Sequence, residues 1–152
     1  MQIAYEIVIA DTTCFILLDK IGELGLLKSL FGSVVTTTII ATEFGDPLPD
    51  WIQIKEVKDV RFQATLDVDA GEASAIALAI ESPPSLIVLD DDKARKKARR
   101  LQLNVTGTLG LFLKAKRDGI IPDVRSMLNK VQKTNFRYSE SVFNEILKLA
   151  GE

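Results

Sequence analysis

Apolar residues in this chain fall in short, nearly unbroken runs separated by stretches of helical period. Residues 5–10, YEIVIA, are β-branched and apolar and predict a strand buried on both faces, as in a parallel sheet. Asp11-Thr12-Thr13 ends it. Across 21–31, Ile21, Leu24, Leu27, Leu30 and Phe31 share one helical stripe despite Gly25. Ser33 to Thr36 predicts a second strand. TIIATEF, 38–44, predicts a short helix closed by Gly45 and the Pro47-Leu48-Pro49 turn. WIQIKEV, 51–57, alternates apolar with polar positions, which predicts a strand with one solvated face, and 59–66 follows as a helix. DAGEASAIALAIES, 69–82, is a helix of small residues able to pack closely on a sheet, stopped by Pro83-Pro84. LIVL at 86–89 is the next strand, 93–101 the next helix, and 103–107 another strand. Helices at 108–118, with Gly119 past the end, at 123–131 and at 139–149 complete the chain. Strand and helix alternate, the mark of an α/β sandwich with a mainly parallel sheet and right-handed crossovers.

Composition narrows the chemistry. The 152 residues suit one domain, 1–152, with no internal repeat, low-complexity tract or linker. A formal net charge of −2 gives no global attraction for nucleic acid, so binding of that kind needs a local basic patch. The chain has no histidine and one cysteine, Cys14. Serine and cysteine triads that rely on histidine are excluded, as are an intramolecular disulfide and most zinc sites. The first residues lack the cationic start of a signal peptide, and no apolar run approaches the roughly 20 residues of a membrane span. A cytoplasmic location and no membrane partner are therefore expected.

Carboxylates stand where strands end. Ligands of open parallel sheets bind beyond the carboxyl ends of the strands. Asp11 follows the first strand, and Asp90-Asp91-Asp92 follow LIVL. If those strands are neighbours, these acids meet in one crevice, joined by Glu43 after a short helix and Glu72 in the first turn of the small-residue helix. Clustered carboxylates raise one another's pKa unless a cation neutralises them, and hard divalent ions favour oxygen ligands. Each acid also has a plain structural role to play. Asp11 can cap a turn, Asp90 to Asp92 can cap a helix, Glu72 can complete a capping box with Asp69, and Glu43 can lie on a solvated face.

Past the acids, Lys93, Arg95, Lys96, Lys97, Arg99 and Arg100 place six cations in eight residues, while Ala94, Ala98 and Leu101 turn to the core. Such a face either meets nucleic-acid phosphates or is simply solvated. Arg95, one turn after Asp91, has the reach to bridge to the pocket acids. Lys114, Lys116 and Arg117 form a second candidate patch. No aromatic residue interleaves with the cations, so base stacking on this helix is not expected. In the tail, Ser139 caps a helix whose stripe of Val142, Phe143, Ile146, Leu147 and Leu149 packs on the domain or offers a dimer or partner surface.

Four stretches together resemble the PIN-domain family, the metal-dependent ribonucleases found as VapC-like toxins, and within it a branch described as nucleic-acid-binding proteins. They are IVIADTTCFI, IIATEF, LDVDAGEASAIALA and LIVLDDDKARKKARRLQLNVTGTLGLFLKAKRDGII. The resemblance implies a three-layer α/β/α sandwich and an acidic pocket holding Mg²⁺ or Mn²⁺. It places the family's four acids on Asp11, Glu43, Glu72 and Asp91, with Asp90 the second choice for the last. Asp11, Glu72, Asp91 and Asp90 are then the expected metal ligands. Thr12 or Thr13 matches the family's small hydroxyl after the first acid. Thr108, with Thr106, lies near the expected pocket, and Arg95, Lys96 and Arg99 are expected to face RNA. The implied activity is an RNA-cleaving toxin, a homodimer silenced by an antitoxin protein. The alternative is a silent nucleic-acid-binding or regulatory module of the same fold. A receiver-like phospho-acceptor domain is disfavoured, because VTGT lacks the lysine that fold expects.

Overall fold

The computed structural model describes residues 7–152. Five short strands form one sheet: β1 Ile7–Ala10, β2 Val34–Thr37, β3 Ile52–Lys55, β4 Ser85–Val88 and β5 Asn104–Thr106. The sheet is parallel throughout, in the order β3-β2-β1-β4-β5. Helices cover both faces, giving the three-layer α/β/α sandwich expected. Tyr5 and Glu6, assigned to the first strand from sequence, lie outside the described residues.

The apolar runs form the central strands because both faces there are covered. Ile9, Val34, Ile87 and Val88 are completely buried. β3, at the edge, buries only Ile52 and leaves Ile54 half exposed. The helices are α1 Thr12–Lys20, α2 Gly25–Phe31, α3 Thr38–Phe44, α4 Val60–Thr65, α5 Ala70–Glu81, α6 Asp92–Arg100, α7 Thr108–Arg117, α8 Arg125–Gln132 and α9 Glu140–Leu149. Polar caps start several of them. Thr37 accepts from Ile40 N, Asp59 from Phe62 N, Asp69 from Glu72 N, Asp91 from Ala94 N and Ser139 from Val142 N.

Two elements differ from the sequence reading. Asp11-Thr12-Thr13 does more than end a strand: Asp11 is the N-cap residue of α1, a helix absent from the sequence reading. Cys14, Phe15, Leu17 and Leu18 are all fully buried, so α1 shows no broad polar face to betray its period. The expected helix at 21–31 starts later, at Gly25, because Gly22 adopts φ +71 after α1 and breaks the run.

β1 pairs with β2 on one side and with β4 on the other. The chain builds outward from β1 to β2 and β3, then returns to add β4 and β5 on the opposite side. The point of reversal lies between β1 and β4, the place where open parallel sheets carry their ligand crevice, beyond the carboxyl ends of the strands. Ala10 faces Val88, and Asp11 N donates to Val88 O at 3.2 Å, so Asp11 and Asp90 emerge side by side.

Candidate active site

Asp11 leaves β1 at this crevice and is 6 % exposed. Its side chain makes no capping bond to α1. Burial, joined by the charges of Asp69, Glu43 and Asp90, pushes its pKa up to about 7, against a smaller opposing effect of the Thr12 N–H.

Glu43 comes from the last turn of α3. The rings of Phe15 and Phe44 meet edge to face with centroids 6.1 Å apart, which ties α1 to α3. Above that joint Thr12 Oγ1 donates to Glu43 Oε1 at 2.9 Å. Thr12 thus holds an acid of the cluster. Thr13 is half-buried and faces no partner among the described side-chain hydrogen bonds.

Glu72 sits in the first turn of α5, 6 % exposed. The capping box expected with Asp69 is only half made. Asp69 Oδ1 accepts from Glu72 N at 2.9 Å, but Glu72 Oε2 is buried and has no hydrogen-bond partner among the described residues. Its pKa is well above the usual carboxylate range, first through burial and then through Asp69, Asp91 and Asp11. Asp69, read from sequence only as a cap, is therefore a further member of the cluster. The D-x-x-E spacing of Asp69 and Glu72, which brings both acids to one helix entrance, was the signal for it.

The Asp90-Asp91-Asp92 run divides its tasks. Asp90, half-buried, turns to α7: its Oδ1 accepts from Thr108 N at 2.8 Å and its Oδ2 from Thr108 Oγ1 at 2.6 Å. Asp91, exposed, caps α6 through Ala94 N at 2.9 Å, and its charge acts on Glu72. Asp92 is exposed in the first turn of α6, where a negative charge complements the helix dipole. Thr108 is fully buried, so its hydroxyl is committed to Asp90 and does not face an incoming substrate.

Arg95 departs from expectation. It forms no ion pair with the pocket acids among the described residues, because Asp90 is turned to Thr108 and Asp91 to Ala94. Its Nε is buried without a hydrogen-bond partner. Arg95 Nη1 and Asp90 Oδ1 flank Gly107, where an added Cβ would stand 3.1 Å from the first and 3.0 Å from the second. A half-buried cation at the mouth is thus left with donors to offer an anion.

Along α6, Ala94 and Ala98 are fully buried as expected. Lys96 and Arg99 are exposed and stand outside every ion pair among the described residues, while Lys93 pairs with Asp67 at 3.2 Å. The second candidate patch is largely consumed. Lys114 and Arg117 pair with Asp118 at 2.7 and 3.8 Å, and Lys116 pairs with Glu152 at 3.0 Å. A separate groove of about 460 Å³ runs between α8 and α9, lined by Arg125, Phe136, Arg137 and Tyr138 among others, and includes none of the clustered acids.

Hard carboxylate donors, raised pKa values and the orphaned Glu72 oxygen suit a divalent cation. Among the described residues, however, no three acids are gathered into a ready-made metal cage. The fit is one of donor chemistry and charge.

No helix among the described residues is long and apolar enough to cross a membrane. No curated protein and no solved structure matches the chain. A family profile described as a PIN domain matches residues 7–152. PIN domains are generally nucleases that use divalent metals. The acids converge at the reversal of a parallel sheet, and the profile spans every described residue: the chain belongs to the PIN-domain family.

Proposed function

We propose that the chain is a Mg²⁺- or Mn²⁺-dependent endoribonuclease of the toxin kind. The observation that carries this reading is the convergence of Asp11, Glu43, Glu72, Asp90 and Asp91, from separate segments, on the crevice between β1 and β4. Asp11, Glu72 and Asp91 would hold the ion, with Asp90 beside them. When bound, the ion supplies charge neutralisation at the phosphate and a more acidic water.

The remaining roles belong to the chain's own groups. Water attacks phosphorus in line, and the bond to the leaving ribose oxygen breaks, that oxygen taking a proton from solvent. Glu43, steadied by Thr12, is placed to orient that water and accept its proton. Thr108 fixes Asp90 at the end of β4 by bonding both of its carboxylate oxygens, a positioning role. Arg95 offers its guanidinium to phosphate oxygens, and Lys96 and Arg99 attract the backbone farther out. Thr13, next to Thr12 in the first turn of α1, is proposed as a further contact to the substrate. As a toxin-like member the protein would work as a cytoplasmic homodimer, restrained by an antitoxin protein.

A second reading, a silent nucleic-acid-binding or regulatory module, draws support from the lack of a ready-made cage among the described residues. Cleavage of a mixed RNA pool separates the two. Wild type should cut with Mn²⁺, and both EDTA and Asp11→Asn should abolish cutting. Cleavage that survives Asp11→Asn removes the acid cluster from the mechanism. No cleavage, with metal binding retained, favours the silent module.

A further inference from the structure

We propose that Gly71 positions Glu43: the bare backbone at the second residue of α5 is the seat on which the Glu43 carboxylate rests. This inference deepens the nuclease reading, which gives Glu43 its chemical role. Gly71 lies inside α5 with ordinary negative φ, so no left-handed turn requires glycine there. Its neighbours favour alanine instead, with Ala70, Ala73, Ala75, Ala77 and Ala79 in the same helix. Glycine weakens a helix relative to alanine. What glycine provides is clearance. An added Cβ would overlap Glu43 Oε1 and stand 3.0 Å from Cδ and 3.3 Å from Oε2.

The seat has two sides. Thr12 Oγ1 holds Glu43 Oε1 at 2.9 Å from α1, and the open backbone of α5 leaves room for the same carboxylate. The next residue along α5 is Glu72, with its unpartnered Oε2. Gly71 thereby brings Glu43 against the helix turn that carries another acid of the cluster. A methyl group at 71 would push away the far end of a flexible side chain, not the backbone. The fold should tolerate it, and only the carboxylate should move.

The test uses the whole chain carrying Gly71→Ala, alone or with Glu43→Asp. Without metal, the Glu43 carboxyl carbon is followed by NMR through a pH titration, its resonance assigned with Glu43→Gln. RNA cleavage with Mn²⁺ is measured in parallel. Gly71→Ala should melt at or above the wild-type temperature yet shift the Glu43 carboxyl resonance. It should lower kcat by about 100-fold with KM little changed, the scale of a 1 Å misplacement. The shorter aspartate should recover part of that loss, since it fits beside the methyl. In a Glu43→Gln background Gly71→Ala should add no further loss. An unmoved Glu43 resonance in Gly71→Ala overturns the seat, whatever the cleavage. A moved resonance in a protein that cuts no RNA keeps the seat and removes the nuclease reading.

Discussion

At Asp11 two effects act in one direction. Burial removes water from the carboxylate, and the neighbouring acids oppose its ionisation. Its pKa of about 7 lies above the 3.8 of a free aspartate, so the folded state holds this proton more tightly than the unfolded chain does. The resulting stabilisation is complete below the unfolded value and is lost as pH rises through about 7. For this 6 % exposed group the loss is on the order of 4 kcal/mol. In EDTA the wild type should therefore melt at a lower temperature at pH 8 than at pH 5. Asp11→Asn should reduce that difference, with Glu72 supplying the remainder, and raise the pH 8 melting temperature. Thermal melts of both proteins check this, and a wild type equally stable at the two pH values would refute it. That Asp11 ends a strand was plain in the sequence. The charges facing it come from distant residues: Glu43 lies 32 positions along the chain, Asp69 58 and Asp90 79.

At the scale of elements, caps were the most legible features. Ser139 before α9 and Gly45 after α3 act as their residue types predict, because a cap bonds within its own turn. Contacts between elements were less legible. Glu152 is an example: its carboxylate accepts from Val124 N at 2.7 Å and Arg125 N at 3.0 Å and pairs with Lys116, joining the chain end to α7 and to the start of α8. These donors, the Val124 N–H foremost, hold its pKa down at about 2, below the ordinary 4.5. The sign is opposite to that of Asp11. The contribution is present above 4.5 and disappears as pH falls through about 2. Acid unfolding should show wild type more stable than Glu152→Gln at neutral pH, with the gap closing near pH 2. A gap that persists there would rule out the carboxylate as the tie.

Across the molecule, charge is segregated: acids gather at the crevice and free cations on the outer face of α6. With a net charge of −2, attraction for RNA has to come from that face. Replacing both Lys96 and Arg99 by Gln should weaken RNA binding and flatten its salt dependence by about 1.4 in the log–log slope, at roughly 0.7 per phosphate contact on a single strand. Fluorescence anisotropy across a salt series measures this, and an unchanged slope would mean that the face is only solvated. By itself, the sequence determined the alternation of strand and helix, the parallel class of the sheet and the set of acids at strand ends. Period, run length and residue type are local properties, and they survive in one dimension. Only the tertiary structure decided that β1 and β4 adjoin, that Asp90 turns to Thr108 while Asp91 caps α6, that Arg95 pairs with neither, and that Glu43 rests on Gly71. These depend on which distant backbones come within a few ångströms of one another, and strand order and packing set that distance.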